Sequence, residues 1–573
     1  MLGHGPVTAG FLLISCGRSF FGCAPSDGTR ETGIMNQGDQ PIRWAAAAGL
    51  VILLVLGVWF RFYHLDRKVY GGDEIFTAWE IAGYTRDEAK DFRPLDALEW
   101  RRHLEISRDR RPTQIIEAFA DHVTPPPLYF LAARWWAMWR SASVWDVRCF
   151  TAIISLLAFP CLYWLCVELF HSRLVAWTAL GLLAVSPFHV LYAQEARPYS
   201  LWTVTTLLAS AALLWAMRVG SGAAWALYGI ASALGLYAQY LFALVMVGHG
   251  IYVVALSSAE RRREVVHFGT AGMLALLALA VWLIVTDKIL PGSSTFTRRK
   301  ISAIVFGERW LMNVSSVFFD PQVGRPGMLF DVYGRDIGLR WDEPSTYVIL
   351  LVVGLVGWSL YALIRETPRS VWLFVYTLMG ALLLFLAGPD LIKGGQRSTT
   401  GRYLVPIYIG ILLAVASCLS NRIVATTASP HRRWAWRMVT VALVSLGVIS
   451  CWVSAQADTW WSKYGAYHQA EVARIINRSP SPLVLVSGPV SLYALSLLVQ
   501  PGTTLQLAEQ WAEPPMSRFS DVFVVEPLPG FSDAVAAQTR YRMTLIYAAG
   551  QLWRIEDLGS RQRIDGDARR EGR

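Results

Sequence analysis

The sequence carries little charge for its length. Of its 573 residues, 16% are Asp, Glu, Lys or Arg and 54% are hydrophobic, and the mean hydropathy is +0.37. Because soluble proteins carry about 25% charged residues, this composition excludes a soluble enzyme and indicates a polytopic membrane protein. The net charge of +10 does not indicate nucleic acid. Many of the arginines stand in short loops between apolar stretches, which the positive-inside rule explains, so no nucleic-acid partner is expected.

Cysteine and histidine are few and scattered. Five of the seven cysteines lie in or beside apolar stretches, so they form neither a disulfide framework nor a CxxC metal pair. The histidines lack the spacing of metal ligands, and no zinc site built from protein side chains is expected. No cofactor is predicted beyond the substrate itself. The sequence leaves open whether a divalent cation assists.

Residues 1–43 precede the first long apolar stretch and are expected to be cytoplasmic. No Lys or Arg stands before the short apolar stretch that ends at Cys16, so a working signal peptide is not expected. Residues 1–34 are predicted to be disordered or a wrongly assigned extension, with Met35 as an alternative start.

Apolar stretches of about twenty residues, the length that crosses a bilayer, recur from Trp44 to Ser454. We predict about eleven spans in a transmembrane domain of residues 44–454. The Lys and Arg bias of the short loops places the N-terminus in the cytoplasm and the C-terminus outside. The predicted fold class is therefore an α-helical polytopic membrane protein.

Two long external loops interrupt the predicted spans, at residues 61–146 and 286–345. In the first of them, the aromatic stretch Pro127–Arg140 is short for a span and is predicted to be a helix in the membrane interface. The long apolar stretch 223–256 is predicted to form two short helices that meet near Tyr237–Tyr240.

The chain changes character after residue 454. Residues 455–558 are predicted to form a small extracytoplasmic α/β domain, and the charged tail 559–573 is predicted to be disordered. The pattern predicts a helix, two buried strands and a hairpin, at Gln469–Asn477, Leu483–Ser487, Asp521–Val525 and Tyr541–Ile555.

Asp73 and Glu74 follow the first apolar stretch and fall on the predicted outer side. Adjacent acids are poor membrane anchors, because anchoring positions favour Trp, Tyr, Lys and Arg. A carboxylate there can remove the proton of an acceptor during sugar transfer, and a second acid can raise its pKa or hold the acceptor. The alternative is a pair of solvated loop acids.

Several basic and aromatic residues fall on the same predicted side. Arg197, in Gln194-Glu195-Ala196-Arg197-Pro198-Tyr199, can hold a lipid-linked phosphate, because a guanidinium matches phosphate oxygens. Arg402 and Tyr403, preceded by Lys393 and Arg397, put positive charge where short outer loops should avoid it, which suits a phosphate leaving group. The alternative for all of them is anchoring at the lipid headgroups.

Four motifs resemble bacterial glycosyltransferase family 39 proteins of the GT-C superfamily, and cyanobacterial-type members in particular. They are Gly72-Asp73-Glu74, Pro125-Pro126-Pro127-Leu128-Tyr129, Gln194 to Ser200 and Arg402-Tyr403-Leu404-Val405-Pro406. These proteins are relatives of protein O-mannosyltransferases and of the aminoarabinose transferase of lipid A. The resemblance implies a GT-C-like fold and a sugar donor linked to polyprenyl phosphate, used on the extracytoplasmic face of a bacterial plasma membrane. One departure is that the basic residue common before Pro-Pro-Leu-Tyr is absent.

The resemblance implies Asp73 as the catalytic carboxylate and general base, with Glu74 as its neighbour. It implies Arg197 and Arg402 as donors to the lipid phosphate. The full set of predicted substrate-binding residues is Glu195, Arg197, Tyr199, Tyr129, Lys393, Arg397, Arg402 and Tyr403. The acceptor, a lipid, a glycan or a protein, is not identified.

Two other functions stay open at this point. One is a transporter of polyprenyl lipids, although transporters place charges near the bilayer midplane and show repeated halves, which this sequence lacks. The other is a catalytically silent protein that binds glycan or lipid during envelope assembly, which the missing basic residue before Pro126 leaves open.

Overall fold

Helices dominate the computed structural model of this chain, as its apolar stretches require. The structure describes residues 40–121, 126–256, 262–286, 300–320, 339, 341–425, 429–463, 465–513 and 516–558. Residues 50–573 form one compact unit, and the described part of residues 1–49 is the beginning of helix α1 (Gln40–Phe62). Residues 1–34, Met35, most of the loop 286–345 and the tail 559–573 lie outside the described residues.

The predicted external loop 61–146 contains four helices and a short strand. They are α2 (Gly72–Ala82), β1 (Leu95–Asp96), α3 (Ala97–Arg102), α4 (Pro112–Asp121) and α5 (Leu128–Trp139). Helix α5 confirms the helix predicted in Pro127–Arg140. Helix α2, which carries Asp73 and Glu74, was not predicted as a helix.

The apolar stretches that follow also form helices. They are α6 (Val144–Leu156), α7 (Ala158–Phe170), α8 (Arg173–Ala184), α9 (Pro187–Ala193), α10 (Tyr199–Val219), α11 (Gly222–Ala238), α12 (Phe242–Leu256), α13 (Arg262–Val285), α14 (Ala303–Ser315), α15 (Pro344–Glu366), α16 (Arg369–Lys393), α17 (Val405–Val424) and α18 (Pro430–Gln456). Among the described residues, seven helical stretches are long and apolar enough to cross a membrane, with α6 and α7 as one of them. The predicted polytopic helical fold is confirmed, and the number of about eleven spans stays a prediction.

Two breaks interrupt the helical part. Helices α11 and α12 break at residues 239–241, as predicted. Helices α8 and α9 meet at 60°. Pro187 begins α9, and the carbonyls of Leu183 and Ala184 at the end of α8 accept hydrogen bonds from Arg61 at 3.1 and 2.9 Å. In a continuous helix these two carbonyls would accept hydrogen bonds from backbone amides of the next turn. Arg61 provides the hydrogen bonds instead.

The C-terminal part is a small α/β sheet domain, as predicted. After helix α19 (Gln469–Ile476) come β2 (Pro482–Val486), α20 (Pro489–Ser496), β3 (Thr504–Leu507), β4 (Asp521–Val525), α21 (Phe531–Ala536), β5 (Tyr541–Tyr547) and β6 (Leu552–Asp557). The sheet order is β1-β3-β2-β4-β6-β5. The central pairs β2-β3 and β2-β4 are parallel, which agrees with the continuous apolar sequences of β2 and β4.

One edge of this sheet is formed by a strand from the predicted external loop 61–146. Strand β1 pairs antiparallel with β3, with Leu95 opposite Leu505. The indole of Trp100 also donates to the Leu505 carbonyl at 3.1 Å. The sheet therefore combines residues from the predicted loop 61–146 and the predicted domain 455–558, and the domain limits stay predictions.

Helix α2 lies in an apolar core that it shares with α5, α20 and the sheet. Ile75 is completely buried, and Trp79 packs edge-on against Tyr493 of α20 with ring centroids 5.1 Å apart. Burial of such side chains contributes about 1.5–3 kcal/mol each. The C-terminal domain therefore helps to hold in place the helix that carries Asp73.

Candidate active site

Asp73 stands in the first turn of α2, at the centre of the candidate site. Its Oδ2 pairs with Nη1 of Arg402 at 2.6 Å, and the Asp73 side chain keeps 33% of its surface exposed. An acid in the first turn is favourable because it faces the positive end of the helix dipole. Asp73 is thus both fixed by a cation and open to a ligand.

Arg197 lies beneath the first turn of α2. It is 5% exposed, and its Nη1 donates to the Asp73 carbonyl and to Oγ1 of Thr77, both at 3.0 Å. The guanidinium also stands 5.7 Å from the centroid of the Phe130 ring. Its Nε makes no hydrogen bond within the part of the chain that the structure describes. One buried donor therefore remains for a ligand.

Tyr199 completes this cluster. It is the first residue of α10, it is buried, and it interacts electrostatically with Arg402, Asp73 and Arg197. The structure therefore brings together four of the predicted site residues from three distant parts of the sequence, with one acid between two guanidinium groups.

Arg402 reaches Asp73 from a tight loop rather than from a helix. Arg402 and Tyr403 lie in the 3-10 turn Gly401–Tyr403, and α17 begins at Val405. A Cβ on Gly401 would stand 3.1 Å from Oδ1 of Asn313, so the loop approaches α14 closely. The Arg402 guanidinium also lies 5.5 Å from the ring centroid of Tyr403.

The two basic residues before this turn have different surroundings. Lys393 is the exposed last residue of α16, whereas Arg397 is half-buried in the loop that follows. Substrate binding by Lys393 and Arg397 stays a prediction.

Glu74 points away from Asp73 and into the protein. It is 1% exposed and accepts hydrogen bonds from Nε and Nη2 of Arg148 at 2.8 and 2.7 Å and from Nζ of Lys463 at 2.7 Å. The Ala196 amide adds a bond of 2.9 Å. Burial alone raises the pKa of Glu74, but the charges of Arg148 and Lys463 outweigh it and hold the pKa well below its usual range.

The same buried group contains a second acid and a second lysine. Nζ of Lys463 lies 3.2 Å from Oε1 of Glu195, and burial raises the pKa of that carboxyl. Nζ of Lys68 donates to Gln194 at 3.1 Å. Burial and the charges of Lys463 and Arg148 lower the pKa of Lys68 to about 7. The predicted site residues Glu74 and Glu195 therefore belong to an internal ion network, which we call the buried ion network.

Residues 124–285 match the model of the dolichyl-phosphate-mannose-protein mannosyltransferase family. This segment resembles that glycosyltransferase family. The resemblance predicted from the motifs is thereby confirmed over this segment. The cyanobacterial type stays a prediction. The matched segment includes Arg197 but neither Asp73 nor Arg402.

Solved structures of two proteins resemble the chain over most of its length. ArnT from Cupriavidus metallidurans bound to undecaprenyl phosphate gives a TM-score of 0.47 at 14% identity, covering 90% of this chain and 98% of that chain. Its apo state gives 0.45 at 14% identity, with 89% and 98% covered. The archaeal oligosaccharyltransferase AglB from Archaeoglobus fulgidus, in complex with an inhibitory peptide and a dolichol-phosphate, gives 0.45 at 11%, with 81% and 64% covered. Among the curated proteins, none matches.

Tyr129 lies within the family segment but is completely buried. Its hydroxyl shares a hydrogen bond of 2.7 Å with Oγ1 of Thr151, and its ring packs edge-on against Phe130. The hydroxyl is therefore engaged inside the protein, and its predicted contact with substrate stays a prediction. Pro125 and His122, just before it, lie outside the described residues.

Several charged residues near the site were not assigned a role from the sequence. Arg148 and Lys463 bind Glu74, and the buried Asp320 accepts hydrogen bonds from the indoles of Trp460 and Trp461 at 2.8 and 2.7 Å. Arg148 could have been noticed, because a cation at the outer end of an apolar stretch opposes the positive-inside rule. Asp320 and Lys463 stand in long segments that the sequence predicts to be external, where a single charge carries no such signal.

Proposed function

We propose that the chain moves a sugar from a polyprenyl-phosphate-linked donor to a lipid, glycan or protein acceptor. In this proposal the reaction takes place on the extracytoplasmic face of a bacterial plasma membrane, and Asp73 is the general base. The face follows from the Lys and Arg bias of the short loops. The donor class follows from the motif resemblance and from the family match over residues 124–285.

The observation that carries this proposal is the cluster of Asp73, Arg197 and Arg402. Arg402 pairs with the partly exposed carboxylate of Asp73 at 2.6 Å, and Arg197 binds the backbone of Asp73 at 3.0 Å. Sugar transfer from a lipid phosphate needs a base for the acceptor and fixed cations for the leaving phosphate. The cluster provides both within one turn of α2.

The ion pair suggests how the donor prepares the base. When the donor phosphate binds, it competes with Asp73 for Arg402, and the unbonded Nε of Arg197 is a further donor for it. The released Asp73 carboxylate then accepts the proton of the acceptor hydroxyl. The acceptor oxygen forms a bond to the anomeric carbon as the bond from that carbon to the phosphate oxygen breaks. Polyprenyl phosphate leaves with the electron pair, next to the two arginines.

Glu74 takes a positioning role in this mechanism. Its carboxylate links α2 to Arg148 of α6 and to Lys463 of the C-terminal part. Arg148 also donates to the carbonyls of Leu65, Lys68 and Val69 at 2.7 to 3.0 Å. Arg148 of α6 therefore binds residues on both sides of Gly71. These contacts hold the first turn of α2, and with it Asp73, in a fixed position.

The test is Asp73→Asn in purified, reconstituted protein, with release of polyprenyl phosphate from lipid-linked hexoses and pentoses as the readout and membrane extract as the acceptor. We expect turnover to fall by about 100-fold or more, because general bases contribute about that much. The matched control is Asp66→Asn, an exposed acid of the same external segment, which should leave turnover unchanged. Unchanged turnover in Asp73→Asn would refute the assignment of the base. Wild-type protein that moves the donor lipid across the bilayer without releasing polyprenyl phosphate would identify a transporter instead.

A further inference from the structure

A second charged cavity lies on a different side of α2 from Asp73. Its volume is about 460 Å³, and its wall includes Ala78 of α2, the segment 104–108, the C-terminal end of α5 and the segment 140–144. At about 100° per residue, Ala78 lies about 140° around the helix from Asp73. This cavity, which we call the arginine cavity, is therefore distinct from the candidate active site.

Three arginines and one glutamate line the arginine cavity, so its wall carries net positive charge. Arg101 is held in place by the carbonyls of Ser496 and Val499, at 2.6 and 2.8 Å. Arg140 is half exposed and lies 3.4 Å from Asp146. Arg108 is exposed and makes no ion pair with any residue that the structure describes. The guanidinium of Arg101 is held in place, whereas those of Arg108 and Arg140 are accessible from solvent. This combination suits the binding of a phosphate-type group.

An exposed apolar stripe runs along α5 to the edge of the arginine cavity. Leu131, Trp135, Met138 and Trp139 are 50%, 65%, 43% and 67% exposed. Their spacing of four, three and one residues places them on one face of the helix. Met138 also lines the cavity, and the guanidinium of Arg140 stands 5.9 Å from the Trp139 ring centroid. Exposed tryptophans beside a cation are typical of a helix in the membrane interface.

We propose that the arginine cavity binds the phosphate-type headgroup of a membrane amphiphile whose hydrocarbon chain lies along the α5 stripe. The cavity supplies the charge and the stripe supplies the apolar contact, so the combination fits an anionic lipid better than a free anion. The inference needs only a membrane-embedded chain, and it does not depend on the glycosyl transfer proposed above.

The proposal can be tested with the full chain in a neutral detergent. Isothermal titration would compare dihexanoyl phosphatidic acid, dihexanoyl phosphatidylcholine and inorganic phosphate. The variants are Arg108→Gln with Arg140→Gln, the charge-preserving Arg108→Lys with Arg140→Lys, and Trp135→Ala with Trp139→Ala. The matched control is Arg102→Gln, an exposed arginine of α3 that does not line the cavity.

We expect phosphatidic acid to bind more tightly than phosphatidylcholine and inorganic phosphate. The double variant Arg108→Gln/Arg140→Gln should weaken phosphatidic acid binding by about 25-fold, which is about fivefold for each exposed arginine. The double variant with lysine at both positions and the control Arg102→Gln should keep most of the affinity. The double variant Trp135→Ala/Trp139→Ala should weaken phosphatidic acid binding without changing the binding of inorganic phosphate. The proposal would be overturned if the double glutamine variant bound phosphatidic acid as tightly as the wild type while its thermal unfolding midpoint was unchanged. Inorganic phosphate binding as tightly as phosphatidic acid would also overturn it, because a soluble anion would then be the ligand.

Discussion

Replacing Glu74 with glutamine should loosen the first turn of α2. The carboxylate receives three short charge-assisted bonds, two from Arg148 at 2.8 and 2.7 Å and one from Lys463 at 2.7 Å, and all three side chains are buried. The substitution leaves two buried cations without this partner. Breaking a buried pair in this way costs about 3–5 kcal/mol of unfolding free energy. Since 1.4 kcal/mol is a factor of ten, opening of α2 should become at least about 100-fold more frequent.

Hydrogen exchange of the α2 amides in detergent, together with chemical unfolding, measures this change. The matched control is Glu471→Gln, which breaks an exposed pair with Arg474 and should cost at most about 1 kcal/mol. Lys463→Met, which leaves Arg148 on Glu74, should cost less than Glu74→Gln. The double variant should cost less than the sum of the two, because both remove the same pair. A cost below about 1 kcal/mol for Glu74→Gln, with unchanged exchange of α2, would show that the buried ion network does not hold this helix.

Three further predictions concern single side chains. Arg197→Ala should weaken polyprenyl phosphate binding by about 1.5–3 kcal/mol, measured by titration, and an unchanged affinity would make Arg197 a structural residue only. The lowered pKa of Lys68 means that the unfolded chain binds more protons between about pH 7 and pH 10, so stability should rise with pH across this interval. Unfolding curves of Lys68→Met should lack that rise, and its persistence would contradict the assignment. Tyr129→Phe should cost about 0.5–1.5 kcal/mol of stability and leave turnover unchanged, whereas a selective loss of turnover would support contact with substrate.

The sequence by itself determined the class of the protein and the order of its parts. Long apolar stretches must become helices in a bilayer, because no other local structure satisfies their backbone groups there. The break between α11 and α12, the helix at Pro127–Arg140 and the C-terminal strands followed from local patterns in the same way. The motifs around Asp73, Arg197 and Arg402 were visible because charge at that side of a membrane needs an explanation.

Only the tertiary structure decided which of these residues meet. Asp73 and Glu74 are neighbours in the chain, but the turn of α2 sends one carboxylate to Arg402 and the other to Arg148 and Lys463. The pairing of β1 with β3 likewise joins residues about 400 positions apart, and no local pattern encodes it. Side-chain partners depend on how separated helices pack, so a single sequence shows which groups are available and the fold selects their contacts.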